Sequence, residues 1–185
     1  MDPTIILGLD PGSRVTGYGV VGRQGNRVYC VDFGAVRLTR GLEAAQIADR
    51  LFSLYHELMA VLDRFRPHRV AVESIFHAAN VKSALTLGHA RGVALLAAAE
   101  AGVPVREYAP LEVKQAVTGY GRADKRQVRE MVRRLLKLPE DPTPLDASDA
   151  LAVALCEAFR GELAERLAGI EGGATGGSRT QRRTR

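Results

Sequence analysis

Four acidic side chains occupy positions at which carboxylates could do chemistry together. Asp10 ends the apolar run TIILGLD and is followed at once by Pro-Gly, and Glu73 ends a second apolar run, RVAVE. Asp146 and Asp149 stand three residues apart at the start of a helical pattern, so both project from one face of its first turn. Ionised carboxylates are rarely buried without a partner, and oxygen ligands without a Cys or His cluster are what Mg²⁺ or Mn²⁺ prefers. If these chain segments converge, the four acids predict a divalent-cation site.

Each acid also has a simpler explanation when it is taken alone. Asp10 before Pro-Gly suits a turn, and Asp146 with Asp149 suits an N-cap and a first-turn acid that complements the helix dipole. Glu73 ends a strand and has no cap to make. As a set, the four acids favour the metal cluster. Two divalent ions held about 3.5–4 Å apart are the usual device for in-line attack of water on a phosphodiester.

The pattern of the chain predicts the elements that would position these acids. Three β-rich segments come first, joined by Gly-containing loops, as in an antiparallel meander. The later strands are separated by helices and should therefore be parallel. The predicted strands are 4–10, 15–21, 27–36, 69–73 and 103–108, and the predicted helices are 47–65, 80–101, 110–118, 124–138 and 146–167. This order predicts an α/β fold, with a mixed five-stranded sheet and helices on both of its faces.

The composition indicates one packed domain with a tail. The 185 residues are 46% hydrophobic and 25% charged, which is ordinary for a protein with a core. We expect a domain over residues 1–168 and a disordered basic tail over residues 169–185, where Gly, Ser, Thr and Arg dominate. Cys30 and Cys156 form neither a disulfide framework nor a zinc motif. Without a secretory signal or the about 20 apolar residues that span a bilayer, a soluble cytoplasmic protein with no membrane contact is expected.

Four blocks of the sequence together resemble one known family. They are IILGLDPGSRVTGYGV, VAVESIFHAANVKSALTLGHARGVAL, VKQAVTGYGRADKRQV and LDASDALAVALC. In this order and spacing, over about residues 5–160, they are similar to the RuvC family of Holliday-junction resolvases. The first block alone would be weak, because Asp-x-Gly after a strand also opens the actin-like ATPases and other nucleases.

The resemblance implies a fold, a reaction and a set of catalytic residues. It implies an RNase H-like fold and a homodimer that nicks two symmetric strands of a four-way DNA junction in recombination and repair, leaving 5′-phosphate and 3′-hydroxyl ends. Asp10, Glu73, Asp146 and Asp149 match the four catalytic and metal-binding carboxylates of the family. Two Mg²⁺ ions per active site are implied, with Mn²⁺ as a substitute. A branch-migration motor of the RuvA and RuvB type is implied as a partner.

The resemblance also implies residues that contact DNA. Phe76 matches an aromatic residue that stacks on a base near the crossover, and Lys114 and Lys125 match basic residues on the cleaved strand. An exposed ring can stack on any unpaired base, a contact worth about 1–3 kcal/mol. Arg126, beside Lys125, is included among the predicted DNA contacts. It begins a stripe of cations at helical spacing, for which a solvated charged face is the ordinary explanation.

A strip of small residues on the predicted helix 80–101 has two explanations. Ala84, Gly88, Gly92 and Leu96 recur at four-residue steps. Glycine inside a helix costs up to about 1 kcal/mol, so the strip requires a reason. The helix could pack closely on its own sheet, or it could form a two-fold dimer contact. The two-fold symmetry of the implied substrate favours the dimer.

Three other functions compete with junction cleavage. Another RNase H-like nuclease would use the same chemistry on a different nucleic acid. An actin-like ATPase would use the first block as a phosphate-binding hairpin, but it needs two such domains. A junction-binding protein without catalysis would gain nothing from gathered negative charge, because its ligand is a polyanion. Crowded acids also raise one another's pKa, so we expect activity to rise with pH in the weakly acidic range.

Overall fold

The strands form one mixed sheet, as predicted. The computed structural model describes residues 2–12, 14–37, 46–74, 81–142 and 144–174, with side chains for all of these except residues 82 and 162–174. The strands are β1 (Thr4–Asp10), β2 (Val15–Gln24), β3 (Arg27–Arg37), β4 (Arg69–Glu73) and β5 (Val105–Tyr108), in the spatial order β3-β2-β1-β4-β5. The pairs β1–β2 and β2–β3 are antiparallel, whereas β1–β4 and β4–β5 are parallel.

Five helices complete the order that the sequence predicts. They are α1 (Ile47–Phe65), α2 (Val81–Glu100), α3 (Pro110–Thr118), α4 (Lys125–Leu136) and α5 (Leu145–Ala174). At the start of α4 the predicted capping box is present: Asp124 Oδ1 accepts a hydrogen bond from the Gln127 backbone N–H at 2.8 Å, and the Asp124 N–H donates to Gln127 Oε1 at 2.9 Å. No helix in the described ranges is long and apolar enough to cross a bilayer.

Two boundaries differ from the sequence prediction by more than two residues. β2 does not end at Val21 but continues to Gln24, because β3 pairs with it as far as Arg27 and the turn shrinks to Gly25 and Asn26. Gly25 has a positive φ of 58°, which glycine adopts at little cost. α5 continues to Ala174 rather than ending near residue 167. The proposed domain boundary at residue 168 stays a prediction, and residues 175–185 of the predicted tail lie outside the described residues.

The sheet has an apolar core on each face because its strand residues alternate between the faces. Ile6, Val21 and Ala71 point to the side that α3, α4 and α5 cover. The opposite side holds the residues between them, such as Leu7 and Val70, and is covered by α1 and α2. Helices therefore lie on both faces of the sheet, as the fold class predicts.

Three glycines allow α5 to lie directly on the sheet. A Cβ atom added to Gly17 of β2 would lie 2.1 Å from the Asp146 carbonyl oxygen, and one on Gly8 of β1 would lie 2.1 Å from the Ala150 carbonyl oxygen. Gly19 pairs with Gly8, and a Cβ atom added to it would lie 2.7 Å from the Leu151 backbone nitrogen. Because backbone meets backbone here, the position of the first two turns of α5 over β1 and β2 is fixed.

Candidate active site

Two of the four acids end neighbouring parallel strands. Leu9 pairs with Val72, so Asp10 and Glu73, the next residues of β1 and β4, leave the sheet side by side. Both point to the face that α5 covers, because they lie two residues beyond Gly8 and Ala71 on that face. Ligands of α/β proteins bind outside the carboxyl ends of parallel strands, and this is that edge of the sheet.

The other two acids come to the same edge on the first turn of α5. The Asp146 backbone lies over Gly17, which pairs with Asp10. Asp149 follows one turn later, and all four acidic residues are half-buried. The structure therefore brings together the four residues that the sequence analysis selected, from β1, β4 and α5.

Burial and mutual repulsion raise the pKa of two of these acids. The pKa of Asp10 is raised from 3.8 to about 7, mainly because the carboxyl group is desolvated, and then because Glu73, Asp149 and Asp146 are negative. Desolvation also raises the pKa of Glu73, with a further contribution from Asp149. Lys125 lowers both values, but it does not offset the burial and the like charges. The edge therefore carries an excess of negative charge.

The donor chemistry of this edge fits a hard divalent cation. Four carboxylates supply only oxygen ligands. Burial contributes most to the raised pKa of Asp10, and a bound cation would relieve the further contribution of the neighbouring carboxylates. Within the described ranges, no three His, Cys, Asp or Glu side chains are grouped closely enough to hold an ion as they stand. Instead, Lys125 Nζ lies 2.9 Å from Asp149 Oδ2 and acts as the counter-ion.

The predicted DNA contacts are only partly described. Lys125 is largely exposed and lies in the cluster of acids, and Lys114 of α3 is close enough to lower the pKa of Glu73. Arg126 is exposed on α4 and forms no ion pair with another described residue. Phe76, for which a stacking role is predicted, lies outside the described residues.

Comparison with known proteins identifies the family. The sequence profile described as crossover junction endodeoxyribonuclease RuvC matches residues 6–157, most of the chain. The chain belongs to the RuvC family. Its members are metal-dependent nucleases, and the enzyme class predicted from the sequence is confirmed.

This chain is similar to individual RuvC proteins over nearly their whole length. The RuvC of Desulfitobacterium hafniense is 49% identical over 165 residues, which is 89% of this chain and 98% of that protein. The RuvC of Pelotomaculum thermopropionicum is 53% identical over 154 residues, which is 83% of this chain and 92% of its own length. A structure of T. thermophilus RuvC in complex with a Holliday junction substrate aligns with a TM-score of 0.81 and 39% identity, over 87% of this chain and 96% of that one. The predicted RNase H-like fold is thereby confirmed.

The sequence analysis did not identify the residues that hold this edge of the sheet in place. The glycines in LGLD and TGYGV could have indicated the close approach of a helix, because they leave a strip without side chains on one face of two strands. The buried carboxylate of Glu157 was also missed. It accepts hydrogen bonds from the hydroxyl of Tyr108 and from Arg69 Nη1, the latter at 3.1 Å. Tyr108 pairs with Glu73, so this contact fixes the strand end beside the cluster.

The metal-free protein should lose stability as the pH rises. Between pH 3.8 and about 7 the folded protein keeps a proton on Asp10 that the unfolded chain releases, so this group favours folding less as the pH increases. Asp10→Asn removes the effect and should raise the free energy of unfolding in EDTA at pH 8 by about 2–4 kcal/mol. The measurement is urea unfolding of both proteins from pH 4.5 to pH 8. A difference between them that is the same at every pH would contradict the electrostatic explanation.

Proposed function

We propose that this RuvC-family chain resolves Holliday junctions by paired, symmetric nicking of two DNA strands, using Asp10, Glu73, Asp146 and Asp149 as its catalytic acids. The observation that carries the proposal is the meeting of these acids at one strand edge, in a chain of the crossover junction endodeoxyribonuclease family. The products are 5′-phosphate and 3′-hydroxyl ends. The activity belongs to recombination and repair of chromosomal DNA, which implies a cytoplasmic location.

The four acids, Asp10 among them, would hold two Mg²⁺ ions, or Mn²⁺ as a substitute. A divalent cation held here supplies the Lewis acidity that phosphodiester hydrolysis requires. The side chains have separate tasks. Asp10 and Glu73 stand on rigid strand ends, so their oxygens are positioned before the substrate arrives. Lys114 and Lys125 offset the charge of the scissile phosphate, which would otherwise be repelled by the acids around it.

We also propose that α2 forms the homodimer contact. The alternative, close packing of its glycines on the sheet, is wrong: Cβ atoms added to Gly88 and Gly92 would meet no described atom within 4 Å. On the same exposed side, Val81, Leu85 and Leu96 are 77%, 59% and 58% exposed. The opposite side of α2, with residues such as Ala94, packs on the sheet. The glycines at the centre of this apolar helix face would let α2 of a second copy of the chain pack closely against it.

A charge placed on this face should separate the protomers. Leu85→Glu is expected to weaken dimerisation by about 100-fold or more, because the dimer would bury an unpaired carboxylate. The mass in solution should fall to that of one chain, and paired nicks in one junction should give way to single nicks. Val31→Glu, on an exposed apolar residue of β3, is the matched control and should leave the dimer intact. A Leu85→Glu protein that stays dimeric would contradict the assignment of α2.

The proposed activity is tested with a synthetic four-way junction and a linear duplex of the same sequence. With Mg²⁺ we expect two symmetric nicks that DNA ligase can reseal, and with EDTA we expect none. Equal cleavage of the linear duplex or of an RNA–DNA hybrid would instead identify another RNase H-like nuclease. Binding without any metal-dependent cleavage would identify a junction-binding protein. A motor of the RuvA and RuvB type is a further proposed partner, tested by whether it stimulates the nicking.

A further inference from the structure

Arg37 lies at the end of β3, at the same edge of the sheet as the four acids. Asp10 pairs with Gly17, and two residues farther along β2, Val15 pairs with Arg37 at the end of β3. Paired residues share a face of a sheet, so Arg37 projects from the same face as Asp10. α5 begins over Gly17, two residues from Val15 along β2, and Arg37 is exposed.

A second arginine lies at the same end of the sheet. Arg14 directly precedes β2 and is exposed. Gly12 lies close to the start of β2, since a Cβ atom on Gly12 would lie 2.1 Å from the Val15 carbonyl oxygen. Arg14 is therefore held at the end of the sheet at which Asp10 lies, on the side of the hairpin β2–β3.

Neither guanidinium forms an ion pair or a hydrogen bond with another described residue. Several arginines elsewhere in the described ranges are paired with acids. The pairs include Arg64 with Asp32 at 3.6 Å, Arg69 with Glu157 at 3.1 Å and Arg133 with Glu130 at 3.0 Å. The four acids nearby are turned toward one another and do not pair with these two arginines. Two cations without an acidic partner among the described residues indicate a place for an external anion.

The spacing suits one DNA strand that crosses the edge of the sheet. β3 is two strands away from β1, which is about 10 Å at the usual strand separation. A DNA backbone with its scissile phosphate at the acids would therefore reach Arg14 and Arg37 within a few phosphates.

We infer that Arg14 and Arg37 form a second phosphate-binding site, which holds the DNA backbone at the ends of β2 and β3 beside the acids, in addition to the contacts of Lys114, Lys125 and Arg126. This inference rests on the proposed function, since the anion is the DNA of the junction. The two cationic groups, one on helices and one on strand ends, hold the substrate against acids that repel it. Arg14 and Arg37 would contact phosphates of the DNA backbone, so their contribution to binding is independent of base sequence.

The test is the junction binding of Arg14→Gln/Arg37→Gln, measured in EDTA by fluorescence anisotropy over a range of salt concentrations. The affinity at low salt should fall by about tenfold, and the slope of log K against log salt should decrease by about 0.9 for each phosphate that the variant no longer neutralises. Hydroxyl-radical footprinting should show weaker protection on one side of the scissile phosphate only. Arg27→Gln is the matched control, because Arg27 stands at the other end of β3, over the Tyr29 ring. It should change neither the affinity nor the slope.

A charge-conserving variant separates the role of charge from that of folding. Arg14→Lys/Arg37→Lys should keep most of the salt dependence, whereas Arg14→Gln/Arg37→Gln loses it. If the wild-type protein binds and nicks the junction while the Gln variant keeps its affinity, slope and footprint, the second phosphate-binding site is overturned and the proposed function stands. If the wild-type protein neither binds nor nicks the junction, the proposed function itself fails.

Discussion

Asp10→Asn should reduce the rate of junction cleavage by about 10³-fold or more, while the protein still binds the junction. Asp10 is the acid most affected by its neighbours, since three other carboxylates raise its pKa, and it therefore lies within the cluster rather than at its margin. Asparagine keeps the shape of the side chain but removes the charge that would hold a cation. Junction affinity in EDTA should be unchanged or slightly higher, because one charge that repels phosphates is removed.

The measurement is single-turnover cleavage of a labelled junction with saturating Mg²⁺, together with a binding isotherm. Asp63→Asn is the matched control, since Asp63 is an exposed acid of α1 outside the cluster, and it should cleave at the wild-type rate. Combined with the stability measurement in EDTA, Asp10→Asn should give a protein that is inactive and yet more stable. Cleavage within about tenfold of the wild-type rate would remove Asp10 from the catalytic set.

Gly17→Ala should disable the enzyme without changing any charged group. The added Cβ atom would lie 2.1 Å from the Asp146 carbonyl oxygen, so the first turn of α5 must move away from β2. Backbone on both sides leaves little room for adjustment, and we expect a loss of about 3 kcal/mol in the free energy of unfolding. Asp146 and Asp149 move with the helix, so cleavage should fall by about 100-fold or more, because misplacement of about 1 Å is enough to cost that much.

Gly22→Ala is the control for this substitution. Gly22 lies on the same strand, but its added Cβ atom would meet the far end of the Tyr29 side chain, which can move. It should cost less stability and leave cleavage intact. Urea unfolding and junction cleavage of the two variants give the comparison. If Gly17→Ala and Gly22→Ala are equally stable and equally active, direct seating of α5 on β2 does not position the acids.

Much of the site could be predicted because its acids stand at the ends of regular elements. A carboxylate that closes an apolar strand is visible in sequence, and parallel strands bring such ends to one edge. The ion pair between Lys125 and Asp149 could not be predicted in the same way. It depends on how α4 packs against α5, and neither residue has a local pattern that selects the other.

The buried side of α2 was also undetermined by the sequence. Small residues occupy both faces of this helix, and Ala can be buried or exposed at similar cost, so periodicity does not distinguish them. Only the packing shows that Ala90 and Ala94 meet the sheet while Gly88 and Gly92 do not. For α4 the contrast between apolar and charged residues is strong. There Val128, Val132 and Leu136, which recur at four-residue steps between charged residues, are the buried ones.

The central claim is that Asp10, Glu73, Asp146 and Asp149 together hold divalent cations, and diffraction from crystals soaked in Mn²⁺ tests it most directly. We expect anomalous peaks bounded by these four side chains, with carboxylate oxygens at about 2.0–2.3 Å, and with Lys125 displaced from Asp149. Asp10→Asn crystals, treated identically, should lose at least one peak. Strong Mn²⁺ peaks elsewhere on the protein, with none among the four acids, would contradict the account.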